Sequence, residues 1–255
     1  MHVERVLAPN PGPMTLTGTN TYLLQHADEV AVIDPGPELP EHLAAILARA
    51  KQLGRITTVL VTHRHGDHLP AAFPLCERTG ATLRGHKDLP GVHQALDDDA
   101  PAFASLRALN TPGHTRDSQT FFDPLAGALF TGDLVAGSGT VIVDDTPGAL
   151  ADYIASLERL RTLSPRTIYP GHGPFVADAM AKLDEYIGHR RAREQQVVVT
   201  LCRGPATVEA LTSAIYPDVA PNLAPMAARN VRACLDKLTA DGRVSATADK
   251  WTLIG

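Results

Sequence analysis

The chain has 255 residues, 44% hydrophobic and 20% charged, which suits one large domain, or a moderate one beside a small one, without disulfide staples. Its net charge of −5 with histidine neutral argues against a generic polyanion binder, though not against a local basic groove. No run of eighteen apolar residues occurs, so no membrane span is expected, and the distant cysteines Cys76, Cys202 and Cys234 form no CxxC pair or disulfide framework. The first thirty residues show no charged-then-apolar signal, and the thiols read as reduced, so the cytoplasm is the expected compartment.

In chain order, Thr19–Gln25 and Glu29–Asp34 read as strands, the second stopped by Asp34-Pro35-Gly36-Pro37. Glu41–Leu53 has apolar residues at 43, 46, 47, 50 and 53, which is helical spacing. Ile56–Val61 is a β-branched run that leads as a buried strand into Thr62-His63-Arg64-His65-Gly66-Asp67-His68. Further strands are predicted at Ala81–Arg84, at Leu106–Asn110 and Gln119–Phe122 on either side of Pro112-Gly113-His114, at Ala128–Thr131 before Gly132-Asp133, and at Thr167–Tyr169 before Pro170-Gly171-His172-Gly173. Asp97-Asp98-Asp99 reads as a solvated loop, and Gly148–Leu163 as a helix with Leu150, Ile154, Leu157 and Leu160 on one face.

After residue 175 the texture changes. Phe175 to about Leu201 reads as one long helix with Arg190, Arg191 and Arg193 in its middle, followed by helices at Val208–Ile215 and Leu223–Leu238 and strands at Val244–Ala248 and Trp251–Ile254. Three helices and a terminal hairpin outline a small winged-helix-like domain. The expected division is residues 1–175 as a body of alternating strands and helices and 176–255 as connecting helix plus winged-helix-like domain. Residues 180–255 carry a net +2 against −7 for the rest. With so little charge and few aromatics, this tail is expected to pack over the active site or to self-associate as a homodimer rather than to bind DNA. The arginines are read either as phosphate contacts or as helix charge paired with Glu185 and Glu194.

The chemistry is concentrated at strand ends. His63, His65, Asp67 and His68 follow one strand, and His114, Asp133 and His172 follow three others, each beside a glycine that permits a sharp turn. Neutral imidazole with carboxylate suits zinc, with manganese or iron also compatible, and the lack of cysteine argues against a purely structural zinc site. Seven donors are too many for one tetrahedral ion and about right for two ions sharing one carboxylate. A pair about 4 Å apart can hold a bridging hydroxide that is nucleophilic at neutral pH.

The run His63-x-His65-x-Asp67-His68, with His114, Asp133 and His172 downstream and Asp34-Pro35-Gly36 upstream, resembles the signature of the metallo-β-lactamase superfamily over roughly residues 15–175. That resemblance implies an α/β fold, an αββα sandwich of two mixed sheets. It also implies that His63, His65 and His114 hold the first metal, that Asp67, His68 and His172 hold the second, and that Asp133 bridges them. True β-lactamases of the superfamily generally lack the bridging aspartate, so Asp133 points away from them. Three further runs, Gly18-Thr19-Asn20-Thr21-Tyr22-Leu23, Tyr169-Pro170-Gly171-His172-Gly173-Pro174 and His189-Arg190-x-x-Arg193-Glu194-Gln195, resemble the β-lactamase-like protein 2 group over nearly the full length. That group includes a single-strand-specific endoribonuclease, and related chains act as thioesterases.

The expected function is a dinuclear metal-dependent hydrolase using a metal-bridging hydroxide, with two zinc ions as cofactor. Its substrate is single-stranded RNA, on which the full-length resemblance leans slightly, or alternatively a small-molecule ester or thioester. Asp67 is the candidate catalytic group, orienting or deprotonating the water. Asn20 and Tyr22 are candidate substrate-binding residues, and Asp34 is a candidate support for a metal-ligating imidazole. The alternative of another class is a winged-helix nucleic-acid-binding regulator with a structural or sensory metal site.

Overall fold

Burial alternating with period two builds two sheets and sets their faces. The computed structural model describes residues 1–254. One mixed sheet runs in the order β1 (His2–Leu7), β2 (Asn20–His26), β3 (Glu29–Ile33), β4 (Arg55–Leu60), β5 (Thr82–Gly85) and β6 (Gln94–Ala95), antiparallel as far as β3 and parallel from there on. The other comprises β7 (Ala100–Phe103), β8 (Leu106–Asn110), β9 (Gln119–Asp123), β10 (Ala128–Gly132) and β11 (Thr167–Pro170). Its pairs are antiparallel except β10 with β11.

Successive strand residues point to opposite faces, and the apolar clusters follow that rule. Tyr22, Leu24, Ala31, Ile33 and Leu60 meet Leu106, Ala108, Phe121 and Phe130 between the sheets. Leu23, Val30, Val32 and Val59 face outward onto α1 (Pro40–Leu53) and α2 (Ala72–Thr79). Phe122, Leu129 and Ile168 face the other way, onto α3 (Ala149–Thr162) and α4 (Ala179–Leu201). Each fully buried Leu or Phe contributes about 1.5–3 kcal/mol relative to exposure. The αββα sandwich follows from these three layers of contact. The last cluster continues without a break into α5 (Val208–Ile215), α6 (Ala224–Ala240) and the hairpin β12 (Val244–Thr247) and β13 (Lys250–Leu253), through Leu211, Val231, Leu235, Leu238 and Val244.

Several elements differ from the sequence expectation. The long helix starts at Ala179 instead of Phe175, because Val176 still pairs with Ile168 and Asp178 caps the helix by accepting from the Ala181 N–H at 2.9 Å. The short elements β1, α2, β6 and β7 lie outside the predicted set. Asp97-Asp98-Asp99 is the exposed loop that was expected, with Asp98 and Asp99 in surface ion pairs to Arg159 and Arg107. Among the described residues no helix is long and apolar enough to cross a membrane.

Candidate metal centre

Each predicted strand end delivers its donor to one place. Ring nitrogens His63 Nε2 and His65 Nδ1 lie 2.9 Å apart, and His114 Nε2 lies 3.0 Å from His65 Nδ1. On the other side His68 Nε2 and His172 Nε2 are 3.3 Å apart, and Asp67 Oδ2 is 3.1 Å from His172 Nε2 and 3.6 Å from His68 Nε2. Asp133 serves both groups with different oxygens. Its Oδ2 lies 3.6 Å from His114 Nε2 and 4.0 Å from His63 Nε2, and its Oδ1 lies 3.3 Å from both His68 Nε2 and His172 Nε2. Two sets of four donors result, His63, His65, His114 and Asp133, and Asp67, His68, Asp133 and His172, each with its donor atoms within 4.8 Å of one another.

The hydrogen bonds fix which nitrogens are free. Thr62 Oγ1 donates to Asp34 Oδ2 at 2.7 Å, since a carboxylate only accepts; the same hydroxyl must then accept from His63 Nδ1 at 3.0 Å. His68 Nδ1 donates to Asp34 Oδ2 at 2.9 Å, His114 Nδ1 to the Ile142 carbonyl at 2.7 Å, and His172 Nδ1 to the Gly18 carbonyl at 3.3 Å. In their neutral form these four imidazoles therefore turn a bare Nε2 lone pair inward. Asp34 thus supports His68 directly and His63 through Thr62.

Lone pairs packed against each other repel unless a cation lies among them. A tetrahedral ion with bonds of about 2.0–2.1 Å holds its donors about 3.3 Å apart, and the observed separations bracket that value. Asp133 Oδ1 is buried with no hydrogen-bond partner, which is costly for a carboxylate oxygen unless a positive charge offsets it. Gly171 leaves the space for this approach, because a Cβ there would sit 2.6 Å from Asp133 Oδ1 and 2.8 Å from His68 Cε1. At Gly132, φ is +49° and a Cβ would collide with Thr62. The donor set therefore fits two ions sharing Asp133.

Electrostatics separate the two sets. Burial, reinforced by the neighbouring His68 and His114, holds the His63 imidazole well below the ordinary histidine range, and burial with His114 lowers His65. Burial would also lower His68, but Asp133 and Asp34 outweigh it and hold it well above. Burial would lower His172, but the neighbouring carboxylates Asp133 and Asp67 outweigh it and raise it to about 9. Burial would raise Asp133, yet its histidines hold it well below the carboxylate range. The carboxylate-rich set is thus the one that draws positive charge most strongly.

Asn20 and Tyr22 do not line this site. Asn20 Nδ2 donates to the carbonyls of Pro170 and Gly173, and the Tyr22 hydroxyl donates to that of Pro170. Both side chains are buried, and the Asn20 amide N–H groups and the Tyr22 hydroxyl anchor the turn that carries His172, while Asn20 Oδ1 is left without a hydrogen-bond partner. The arginines of α4 also lie elsewhere than expected. Arg190 is buried against Tyr153, Arg191 pairs with Glu158, and Arg193 stacks over Tyr216; the partners of Glu185 and Glu194 are instead Lys182, and Lys237 with Arg243. Sequence reasoning did not find Asp117, which accepts from the Arg64 N–H at 2.9 Å and braces the His63–His68 loop.

A cavity of about 690 Å³ opens above the donors. Its walls include His65, Asp67, His114, Asp133 and His172, the loop residues Met14, Leu16, Val141 and Ile142, and from the C-terminal unit Leu223, Met226, Arg229 and Asn230. The tail thus packs over the site. Nothing in its sequence marked these roof residues, which look like ordinary helix positions.

The sequence model of the metallo-beta-lactamase superfamily matches residues 14–96 and 87–172. The "Beta-lactamase-like protein 2 homolog" of Drosophila melanogaster is 34% identical over 275 residues, covering 97% of this chain and 92% of that protein. The chain belongs to the metallo-β-lactamase superfamily. Residues 207–251 match the beta-lactamase associated winged helix domain. An "Atrochrysone carboxyl ACP thioesterase" of Aspergillus fumigatus is 39% identical over 209 residues, covering 78% of this chain and 64% of that one. The crystal structure of a metallo-beta-lactamase family protein from Thermus thermophilus superposes with a TM-score of 0.80 at 24% identity, covering 99% of this chain and 98% of that chain, and so shares the fold. As a member of this superfamily the chain is a metal-dependent hydrolase.

Proposed function

We propose that this metallo-β-lactamase superfamily member hydrolyses an acyl thioester or ester of a small molecule with a bulky apolar acyl group. The cavity carries this reading. Met14, Leu16, Val141, Ile142, Leu223 and Met226 give it apolar walls beside the donors, the setting that suits an acyl chain. The cationic groups in its lining are Arg64 and Arg229, already facing Asp117 at 3.7 Å and Asp145 at 3.4 Å. A single-strand RNA site combines a positive groove with stacking aromatics, and the arginines of α4 are engaged elsewhere. The thioesterase among the relatives supports the same bond type.

In this reading His63, His65 and His114 hold one ion, Asp67, His68 and His172 hold the other, and Asp133 joins them. Zinc fits these donors best, and manganese or iron is compatible. When bound, the two ions would supply a water acidic enough to attack at neutral pH and a Lewis acid for the substrate's carbonyl oxygen. Asp67 reaches the cavity wall, where its carboxylate orients the attacking water and takes its proton. Asp34, Thr62 and the carbonyls of Ile142 and Gly18 keep His68, His63, His114 and His172 in the tautomer that leaves Nε2 free.

Metal analysis of the purified protein, followed by a panel of aromatic and aliphatic acyl thioesters, lactones, a cephalosporin and single-stranded RNA, tests the proposal. The expected result is two equivalents of metal and thioester turnover that a chelator abolishes and added zinc restores. Cleavage of RNA without acyl turnover would reassign the substrate, and failure to take up metal would overturn the site.

A further inference from the structure

We propose that Arg190 is a positioning residue for the three-histidine half of the centre, holding His114 through the backbone of residues 141–142. The inference rests on the reading that His63, His65 and His114 hold an ion. Arg190 lies in the middle of α4 and is only 4% exposed. A buried guanidinium is costly without a partner. This one donates from Nη2 to the Val141 carbonyl at 2.5 Å, sits 5.1 Å from the centroid of the Tyr153 ring, and among the described residues forms no ion pair. The next carbonyl along the chain, that of Ile142, accepts from His114 Nδ1 at 2.7 Å. Arg190 therefore holds the peptide next to the one whose carbonyl selects the His114 tautomer.

The same helix face secures the rest of the loop. Tyr186, four residues earlier and so on the same side of the helix, accepts from the Ala136 N–H at 3.1 Å and donates to the Gly139 carbonyl at 2.9 Å. The Asp144 N–H donates to the Gly113 carbonyl at 2.8 Å, beside His114. Tyr153, under the guanidinium, donates to the Leu134 carbonyl at 2.7 Å, one residue past Asp133. The loop that supplies half of the His114 geometry is thus clamped from α3 and α4. The second donor set depends on it less: the same loop reaches it only through the backbone, where the Gly137 N–H donates to the His172 carbonyl at 2.9 Å, while the rings of His68 and His172 are held by Asp34 and Gly18. The consequence is a selective one: weakening Arg190 loosens the three-histidine set more than the other.

Cobalt(II) titration of the metal-free full-length protein, followed by visible absorption and metal counting, tests this in Arg190→Met, Arg190→Lys, His114→Ala and the surface control Arg191→Ala. Groups that orient a ligand are typically worth about 10–100-fold in metal affinity, and Arg190 acts one step further out, so about tenfold is expected. Arg190→Met should weaken one of two equivalents by that factor, with the affected absorption band being the one that His114→Ala removes. Arg190→Lys, which keeps a donor but not the planar fork, should fall between Met and wild type. The metal-free melting temperature separates a positioning role from a structural one, and the lysine variant keeps the test open if the methionine variant does not fold. Unchanged affinity at both sites, or equal loss at both in step with a lower melting temperature, would overturn the inference. A wild-type protein that binds no cobalt would instead overturn the metal-site reading beneath it.

Discussion

The two donor sets share Asp133 but are rooted in different parts of the molecule. His68 is braced by Asp34, which sits between β3 and β4 with its own N–H bonded to the Leu60 carbonyl at 2.9 Å and its carbonyl accepting from Thr21 Oγ1 at 2.7 Å. Asp34 adopts φ +49° there, an uncommon backbone state for a non-glycine residue that the surrounding sheet must hold in place. His114 is braced by a loop carbonyl whose own hold comes from the helices outside the second sheet. His68 therefore inherits the rigidity of a sheet, whereas His114 depends on a loop and on the helix that leads into the C-terminal unit. The difference teaches that metal affinity at the two donor sets, though they adjoin, need not rise and fall together.

Asp133→Asn should erase that difference and give the largest effect. The carboxylate divides its oxygens between the sets, with Oδ1 toward His68 and His172 and Oδ2 toward His114 and His63. An amide removes the charge and turns one of these acceptors into a donor pointed at the ligands. Both metal equivalents should weaken, and turnover should fall about a thousandfold, at the upper end of losing one preorganised transition-state contact. Elemental analysis and kcat check this; a variant that keeps one full equivalent would show that the aspartate belongs to a single site.

Asp34→Asn and Thr62→Val should sharpen the comparison at the next scale. Asp34 touches His68 directly and His63 only through the Thr62 hydroxyl. Its replacement should cost about 10–100-fold in affinity at the second set and less at the first. Thr62→Val, which removes only the hydroxyl link, should weaken the first set alone. Isothermal titration with zinc would resolve the two, and an equal loss at both sets in Thr62→Val would argue against the relay.

The donors themselves were legible in the sequence because their chemistry is hard to mistake. His63, His65, Asp67 and His68 lie within six residues after a β-branched strand, and the remaining three each follow a strand and adjoin a glycine. What surrounds them was less legible, for reasons of range. The partners of Asn20 and Tyr22 lie 148 to 153 residues away, so polar groups that secure a distant turn look like groups awaiting a substrate. The arginines of α4 misled in a similar way, because a run of cations does not reveal that Arg190 is buried against a carbonyl and a ring. Helix α2 was hidden by Pro74, which reads as a breaker but is tolerated in a first turn, where the N–H has no partner. Strand β1 is a half-exposed edge with weak alternation.

The roof of the cavity offers the smallest expected effect and the sharpest test of substrate class. Met226, from α6, and Leu223, from the turn before it, line the cavity together with Met14 and Leu16. Shortening an apolar contact in a pocket costs about 1–3 kcal/mol. Met226→Ala should therefore raise KM about tenfold for a thioester with a bulky aromatic acyl group, while kcat and the acetyl thioester change little. That pattern is the signature of contacts made equally in ground and transition states, as expected of a wall that neither touches the donors nor moves a proton. A fall in kcat at constant KM would instead place the roof within the chemistry. The C-terminal unit would then matter to the centre through the substrate as well as through the loop that Arg190 holds.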